Sequence, residues 1–268
     1  MYSGTTLHNK SGNLIGAHQK FDRAARKFID SLRPQAVFPA TKQILHFEGN
    51  NGPDGIKRKS PAVDEPWHYW DPTDEDDTKL LHIITNHLNG LVKALRENRA
   101  EKAAFEAAWL AHAIVDGLTP PHHYPYEKKL IELRGEGIET RTSFKEKVMI
   151  KGDTKRQTLS KNWQLWGAKG LILSHASFEW GVSSTTRPMK FKKYLLQEAE
   201  IKHIKNIGFE AYLKEQALEI YELNMYERFL RRGWSTKLAR EIRTELSPRI
   251  VRSIAAAWVI ALDEAERT

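Results

Sequence analysis

The stretch AAFEAAWLAHAIVDGLTPPHH, Ala103–His123, decides the fold. Its apolar and large residues recur at helical spacing, with Phe105, Trp109, His112 and Asp116 on one stripe. The alanines between them leave a smooth surface that lets a neighbouring helix approach closely. Residues four apart stack on one helix face, so His112 and Asp116 point the same way. An ionised aspartate on a buried stripe is unfavourable unless a cation compensates it, and a metal ion would do so. Pro120 and Pro121 then stop the helix and turn the chain. His122 can therefore approach the same point from outside the helix.

The same period runs outward from this stretch in both directions. Leu14, His18, Phe21, Ala25, Phe28 and Leu32 share a face of a first helix. Leu80, Ile84, Leu88, Leu91 and Leu95 form a second stripe, and Leu171, Ile172, His175 and Glu179 another. Further helical stretches are predicted from Asn206 to Leu230 and from Thr236 to Glu264, the last broken or kinked at Pro248. No segment alternates in the manner of a strand. The fold class is all-α, a multi-helix bundle of seven to ten helices in one domain spanning 1–268. Two stretches read as loops: Glu48–Thr73, rich in Gly, Asn and Pro, and the charged run from Thr119 to about Ser160.

Composition narrows the chemistry. The 268 residues include no cysteine, which excludes disulfides and thiolate ligands. No apolar run is long enough to span a bilayer, and Met1–Gly16 lacks the apolar core of a signal peptide. These features together predict a cytoplasmic chain. The net charge of +8 favours phosphate-bearing partners. The charge is uneven: residues 124–174 hold 11 Lys and Arg against 6 Asp and Glu. A solvated loop region explains such an excess equally well.

His175-x3-Glu179 repeats the spacing of His112-x3-Asp116. One such pair is ordinarily a hydrogen-bonded helix pair. Two on apolar stripes, one followed by a proline-turned histidine, point to a metal site of the kind built between facing helices. Imidazole and carboxylate ligands suit zinc. Taken alone, His18 reads as a core histidine and Asp54 as a turn residue. His82 belongs to a polar face, and His8, His46, His87 and His123 read as structural or surface residues.

AHAIVDGLTPPHH, Ala111–His123, resembles the central motif of the bacterial zinc-dependent phospholipases C, which include the catalytic domain of the clostridial alpha-toxins. The fungal single-strand nucleases share that superfamily. WHYWDPTDED, Trp67–Asp76, is similar to a family motif in which a histidine precedes an aromatic pair and Asp-Pro. Pro53–Gly55 matches the Pro-Asp before it. His175-x3-Glu179 matches the later pair, and GAHQKFDRAA resembles the first-helix histidine segment. The matches run from about Gly16 to Gly181.

The resemblance implies two or three zinc ions in a helical cleft. One would be held by His68, His112 and Asp116. Asp54 would act beside it, as a ligand or as the catalytic group that orients and deprotonates the attacking water, with Asp64 as the competitor for that role. A second zinc would take His122, His175 and Glu179. A third would take His18 and the other oxygen of Asp116, with His8 or water where family members place a terminal amino group. The implied activity is phosphodiester hydrolysis, on a phospholipid headgroup or a nucleic acid. A zinc-bound, non-catalytic binding protein is the other expectation. The 52 residues between His122 and His175 exceed the family's short connection. This basic insertion, about 124–170, is expected to cap the cleft, and no membrane-binding β-sandwich like that of the alpha-toxins is expected within these residues.

Overall fold

The computed structural model describes residues 16–57 and 59–267. Every regular element among them is helical. In chain order they are α1 (Ala17–Leu32), α2 (Thr41–His46), α3 (Pro53–Ile56), α4 (Lys79–Arg96), α5 (Ala100–Gly117), α6 (Tyr126–Arg134), α7 (Phe144–Val148), α8 (Lys155–Trp166), α9 (Leu171–Thr186), α10 (Glu198–Ile207), α11 (Phe209–Glu222), α12 (Met225–Arg232), α13 (Thr236–Glu241) and α14 (Ser247–Ala265). The all-α bundle read from the sequence is the observed class. The segments outnumber the expected seven to ten because several are one or two turns long.

α5 and α14 form the centre of the bundle. α4 lies against both, and α1 packs on α14, α5 and α9. The alanines do what their size suggests. Ala103, Ala107, Ala108 and Ala111 on α5, and Ala255, Ala256, Ala257 and Ala261 on α14, are all buried. Trp258 sits fully buried at this junction, and its indole N–H donates to the Ala107 carbonyl at 3.2 Å. The donor is thereby satisfied inside an apolar core. At one end of the bundle Arg33 ties three helices together, donating to Asp263 at 2.6 and 2.8 Å and to Glu198 at 2.6 Å.

Several elements depart from the sequence reading. The stretch expected to run helical from Asn206 to Leu230 is interrupted. Gly208 (φ +87°) separates α10 from α11, and Asn224 (φ +49°) separates α11 from α12. Both take backbone conformations that Gly and Asn tolerate. Pro248 does not break the last helix. The five residues Ile242–Leu246 wind as a π-turn, and Pro248 falls in the first turn of α14, where a missing N–H is harmless.

The run Thr119–Ser160, read as a loop, is also largely helical. It holds the 3-10 turn Pro120–His122, then α6, α7 and the start of α8. Ser143 accepts from the Glu146 amide to cap α7, and Thr154 accepts from the Gln157 amide to cap α8. Leu130, Ile150 and Leu165 make a small core of their own. Three buried apolar residues among many charges give too weak a periodic signal to be read from sequence. This insertion docks on Lys57 and on residues 60–65. The Ala62 amide donates to the Arg141 carbonyl at 2.9 Å, and the Lys147 ammonium donates to the carbonyls of Lys57 and Ser60 and pairs with Glu65. No helix among the described residues is long and apolar enough to cross a membrane.

Candidate metal centre

α5 is buried on all sides over its last turns. His112 is 2% exposed and Asp116 is fully buried. Phe105 and Trp109, read as part of an inward stripe, lie only half-buried at its edge. Leu118 caps the helix, and the Thr119 hydroxyl donates back to the Val115 carbonyl. The Pro-Pro turn that follows brings His122 back over the helix end.

A reciprocal tie then fixes two histidines at once. The Trp70 amide donates to the His122 carbonyl at 3.0 Å, and His122 Nδ1–H donates to the His68 carbonyl at 2.7 Å. Trp70 itself is core, 2% exposed, and lies over Gly117, where an added Cβ would meet its ring at 3.5 Å. Tyr69 turns the other way and stacks on His122 at 5.4 Å and on Tyr126 of the insertion at 5.2 Å. Tyr126 also meets the His175 ring edge-on. The insertion thus contributes an aromatic wall to the site.

Asp116 lies at the centre. Its Oδ2 is 2.5 Å from His68 Nδ1 and 3.2 Å from His112 Nε2. Its Oδ1 is 3.5 Å from His122 Nε2 and 3.6 Å from His18 Nε2. On α9, Glu179 Oε1 is 2.8 Å from His175 Nε2 and 3.1 Å from His122 Nε2. Asp54, at the start of α3, places Oδ1 3.9 Å from His112 Nε2. The side chains fall into three groups whose ligand atoms lie within 4.8 Å of one another: Asp54, His68 and His112; His122, His175 and Glu179; and His18, Glu48 and His112. The eight residues singled out from the sequence come together. Asp64, the alternative to Asp54, is exposed and forms no ion pair with these histidines.

These buried groups fit a divalent cation. His122 Nδ1–H donates to a carbonyl, so in the neutral ring Nε2 carries the lone pair. That lone pair faces oxygens of Glu179 and Asp116, and burial pushes the His122 pKa down, against a second proton. Acceptors facing acceptors repel unless a cation lies between them. Ligands about 2.1 Å from a tetrahedral ion are about 3.4 Å apart, close to the separations here. Both ring nitrogens of His18, Nε2 of His68, Nε2 of His112 and Nδ1 of His175 are buried without a hydrogen-bond partner.

Electrostatics divides the cluster. Burial, with help from Lys57, pushes His68 down to about 3 despite its bond to Asp116. Burial also holds His18 well below the usual histidine value. His112 goes the other way. Against burial, Glu48 and Asp116 push it up to about 10, so without metal it carries two protons. Burial opposes ionisation of Asp116 and Glu179 as well, but neighbouring imidazoles hold both well below the carboxylate range. Asp54 is held low in the same way by Lys57, 3.4 Å away.

The sequence reading missed three participants. Glu48 is fully buried and faces His112 Nδ1 at 3.3 Å. Gly49 after it (φ +62°) turns the chain in a way other residues resist. Nothing in the pattern of FEGNNGPDG marks Glu48. Asp22 was legible: His18-x3-Asp22 repeats the four-residue spacing of the other two pairs. It is 1% exposed, and burial and Glu48 push its pKa well above the usual value. Lys57, half-buried beside Asp54, is the third. By contrast His123 is structural as expected, its Nε2–H donating to the Gly117 carbonyl at 2.9 Å. His87 pairs with Glu106, and His46 and His82 lie on the surface. His8 and Leu14 lie outside the described residues.

Glu48→Gln is expected to lower metal affinity by about 10- to 100-fold, the usual effect of losing a carboxylate that orients a ligating histidine. Competition with a chromophoric chelator measures it, and unchanged affinity would remove Glu48 from the site.

No family model matches this chain, and no match was found among curated proteins or solved structures.

Proposed function

We propose that the chain is a zinc-dependent hydrolase of phosphodiesters. The observation that carries this reading is the meeting of five buried or half-buried imidazoles around two carboxylates: Asp116 lies within 3.6 Å of His18, His68, His112 and His122, and Glu179 within 3.1 Å of His122 and His175. The donor set has only nitrogen and oxygen, which suits zinc. Asp54, His68, His112 and Asp116 would hold one ion, and His122, His175 and Glu179 a second. His18, with Asp116 and Glu48 beside it, would hold a third. Such ions supply Lewis acidity and an acidified water near neutral pH.

The chain's own groups account for the rest. Asp54 stays ionised at any working pH, because Lys57 holds its pKa low. That suits a ligand or a group that orients water better than a proton store. Lys57 brings a cation to this edge of the cluster, 3.4 Å from Asp54, placed to meet a phosphoryl oxygen. A cavity of about 360 Å³ reaches His68 and His112 between Trp67 and Trp109. The apolar part of its lining, Pro53, Ile56, Trp67, Ile83 and Trp109, suits the organic part of an ester.

The test is metal analysis of the purified protein alongside assays on a chromogenic phosphodiester, a choline phospholipid and single-stranded DNA. At least two zinc ions per chain are expected, with cleavage of one or more substrates. Lys57→Met is expected to lower kcat/KM at least about tenfold while metal content stays unchanged. Cleavage of DNA alone, falling steeply as salt rises, would mark a nuclease. Full zinc with no cleavage of any substrate would leave a metal-stabilised binding protein.

A further inference from the structure

The outer face of α1 carries a different chemistry from the inner one. His18 and Asp22 face the cluster. Lys20, Arg23 and Lys27 recur at i, i+3 and i+7 on the other side of the helix. They border a cavity of about 670 Å³, within the range of small-molecule sites. Its opposite wall is the segment after α9, which adds Lys190 and Lys192. The floor is apolar: Phe28 and Phe191 are nearly buried, and Leu195 is half-buried.

No carboxylate lines this cavity, and among the described residues none of its five cations forms an ion pair. Other helical cations are matched, as in Lys102–Glu106, Lys214–Glu210 and Arg252–Glu200, and Arg26 on α1 itself pairs with Asp30; what sets these five apart is that they gather around one cavity. The like charges here press on one another. Partial burial, then Lys27 and Arg23, lower the Lys20 pKa. Crowded cations over an apolar floor are relieved by an anion that also brings apolar surface.

We propose that this cavity binds an anionic amphiphile: a phosphate-headed ligand with an alkyl body. The head meets Lys20, Arg23 and Lys27, and the body lies on Phe28, Phe191 and Leu195. A concave pocket with an apolar floor favours such a ligand over an extended polyanion, which needs only a row of exposed cations. None of these residues belongs to the metal centre, so the inference stands or falls apart from the hydrolase reading.

Calorimetry of the full, zinc-loaded chain tests it, with n-octyl phosphate below its micelle concentration, inorganic phosphate, n-octanol and an oligothymidylate as probes. Octyl phosphate is expected to bind at least about tenfold more tightly than inorganic phosphate, since burying even two methylenes yields that factor, and at least about tenfold more tightly than octanol, which lacks the charge that the cations meet. The double variant Lys20→Glu, Lys27→Glu is expected to lose at least about tenfold in affinity with zinc content unchanged. Lys190→Glu with Lys192→Glu, on the irregular wall, gives the same loss should the helix variant fail to fold. Because the metal centre can also take a phosphate, the titration is repeated in His112→Ala, where cavity binding persists. Equal affinity for octyl phosphate and inorganic phosphate overturns the proposal, as does indifference to charge reversal in both variants. Preferential, competing binding of the oligothymidylate overturns it in favour of a nucleic-acid surface.

Discussion

Asp116→Ala is expected to strip the protein of bound metal and abolish hydrolysis together. The two oxygens of this one carboxylate lie within 3.6 Å of His18, His68, His112 and His122. Its removal leaves several buried imidazoles without the negative charge that balances a divalent ion. Activity should fall well beyond about 100-fold, the upper end of the loss when only an orienting partner is removed. Asp116→Asn keeps the shape and one acceptor but loses the charge, and it too should release metal. His87→Ala is the control. His87 and Glu106 also form a close imidazole–carboxylate pair, at 2.6 Å, but outside the cluster, and its loss should leave metal content unchanged. Full metal in both Asp116 variants would refute the assigned ligand set.

Removing the metal with a chelator should lower Tm, and the gap should widen as pH rises from 6 to 9. At a thousandfold excess of free zinc over its dissociation constant, one site stabilises the fold by about 4 kcal/mol. For a chain of this size that corresponds to roughly 10 °C. The pH dependence follows from the metal-free groups. His112 has its folded pKa raised to about 10, so its stabilisation is complete below the unfolded value near 6.5 and is lost as pH climbs through 10. His18, His68 and His122 have lowered folded values. They penalise the fold below pH 6.5, where the unfolded chain takes up protons more readily. Asp116, held low, adds stability that disappears only at strongly acid pH. Metal-free protein should therefore be most stable near pH 6.5 with respect to these groups. Metal must displace the extra proton on His112, so binding strengthens with pH and releases about one proton near neutrality. Calorimetry in buffers of different ionisation enthalpy reads that proton directly. A Tm gap that shrinks from pH 6 to 9 would contradict the assigned state of His112.

Within the candidate site, legibility followed local geometry. His112 and Asp116, and His175 and Glu179, could be paired because four residues along a helix are neighbours whatever the rest of the chain does. The His18–Asp22 pair obeys the same rule and could have been read in the same way. His68 sits in irregular backbone and Asp54 in a single helical turn, so spacing implies no face shared with the other ligands; only family resemblance singled them out. Glu48 has neither kind of signal, since its approach to His112 depends on a turn at Gly49 and on the packing of α2 against α5. The insertion was misread as a loop because helices of five to twelve residues, held by caps and three buried apolar side chains, leave little periodic trace.

The sequence alone determined the all-α class, the absence of any thiolate chemistry and the pairing of acid with imidazole on two helices. These depend on composition and on contacts within a turn or two. The tertiary structure alone decided that Asp116 faces four imidazoles, that Tyr126 of the insertion stacks over the site, and that five lysines and arginines border one cavity. Each of these joins residues far apart in the chain. Their meeting is set by how α1, α5 and α9 pack, and no local pattern encodes the position of one helix relative to another.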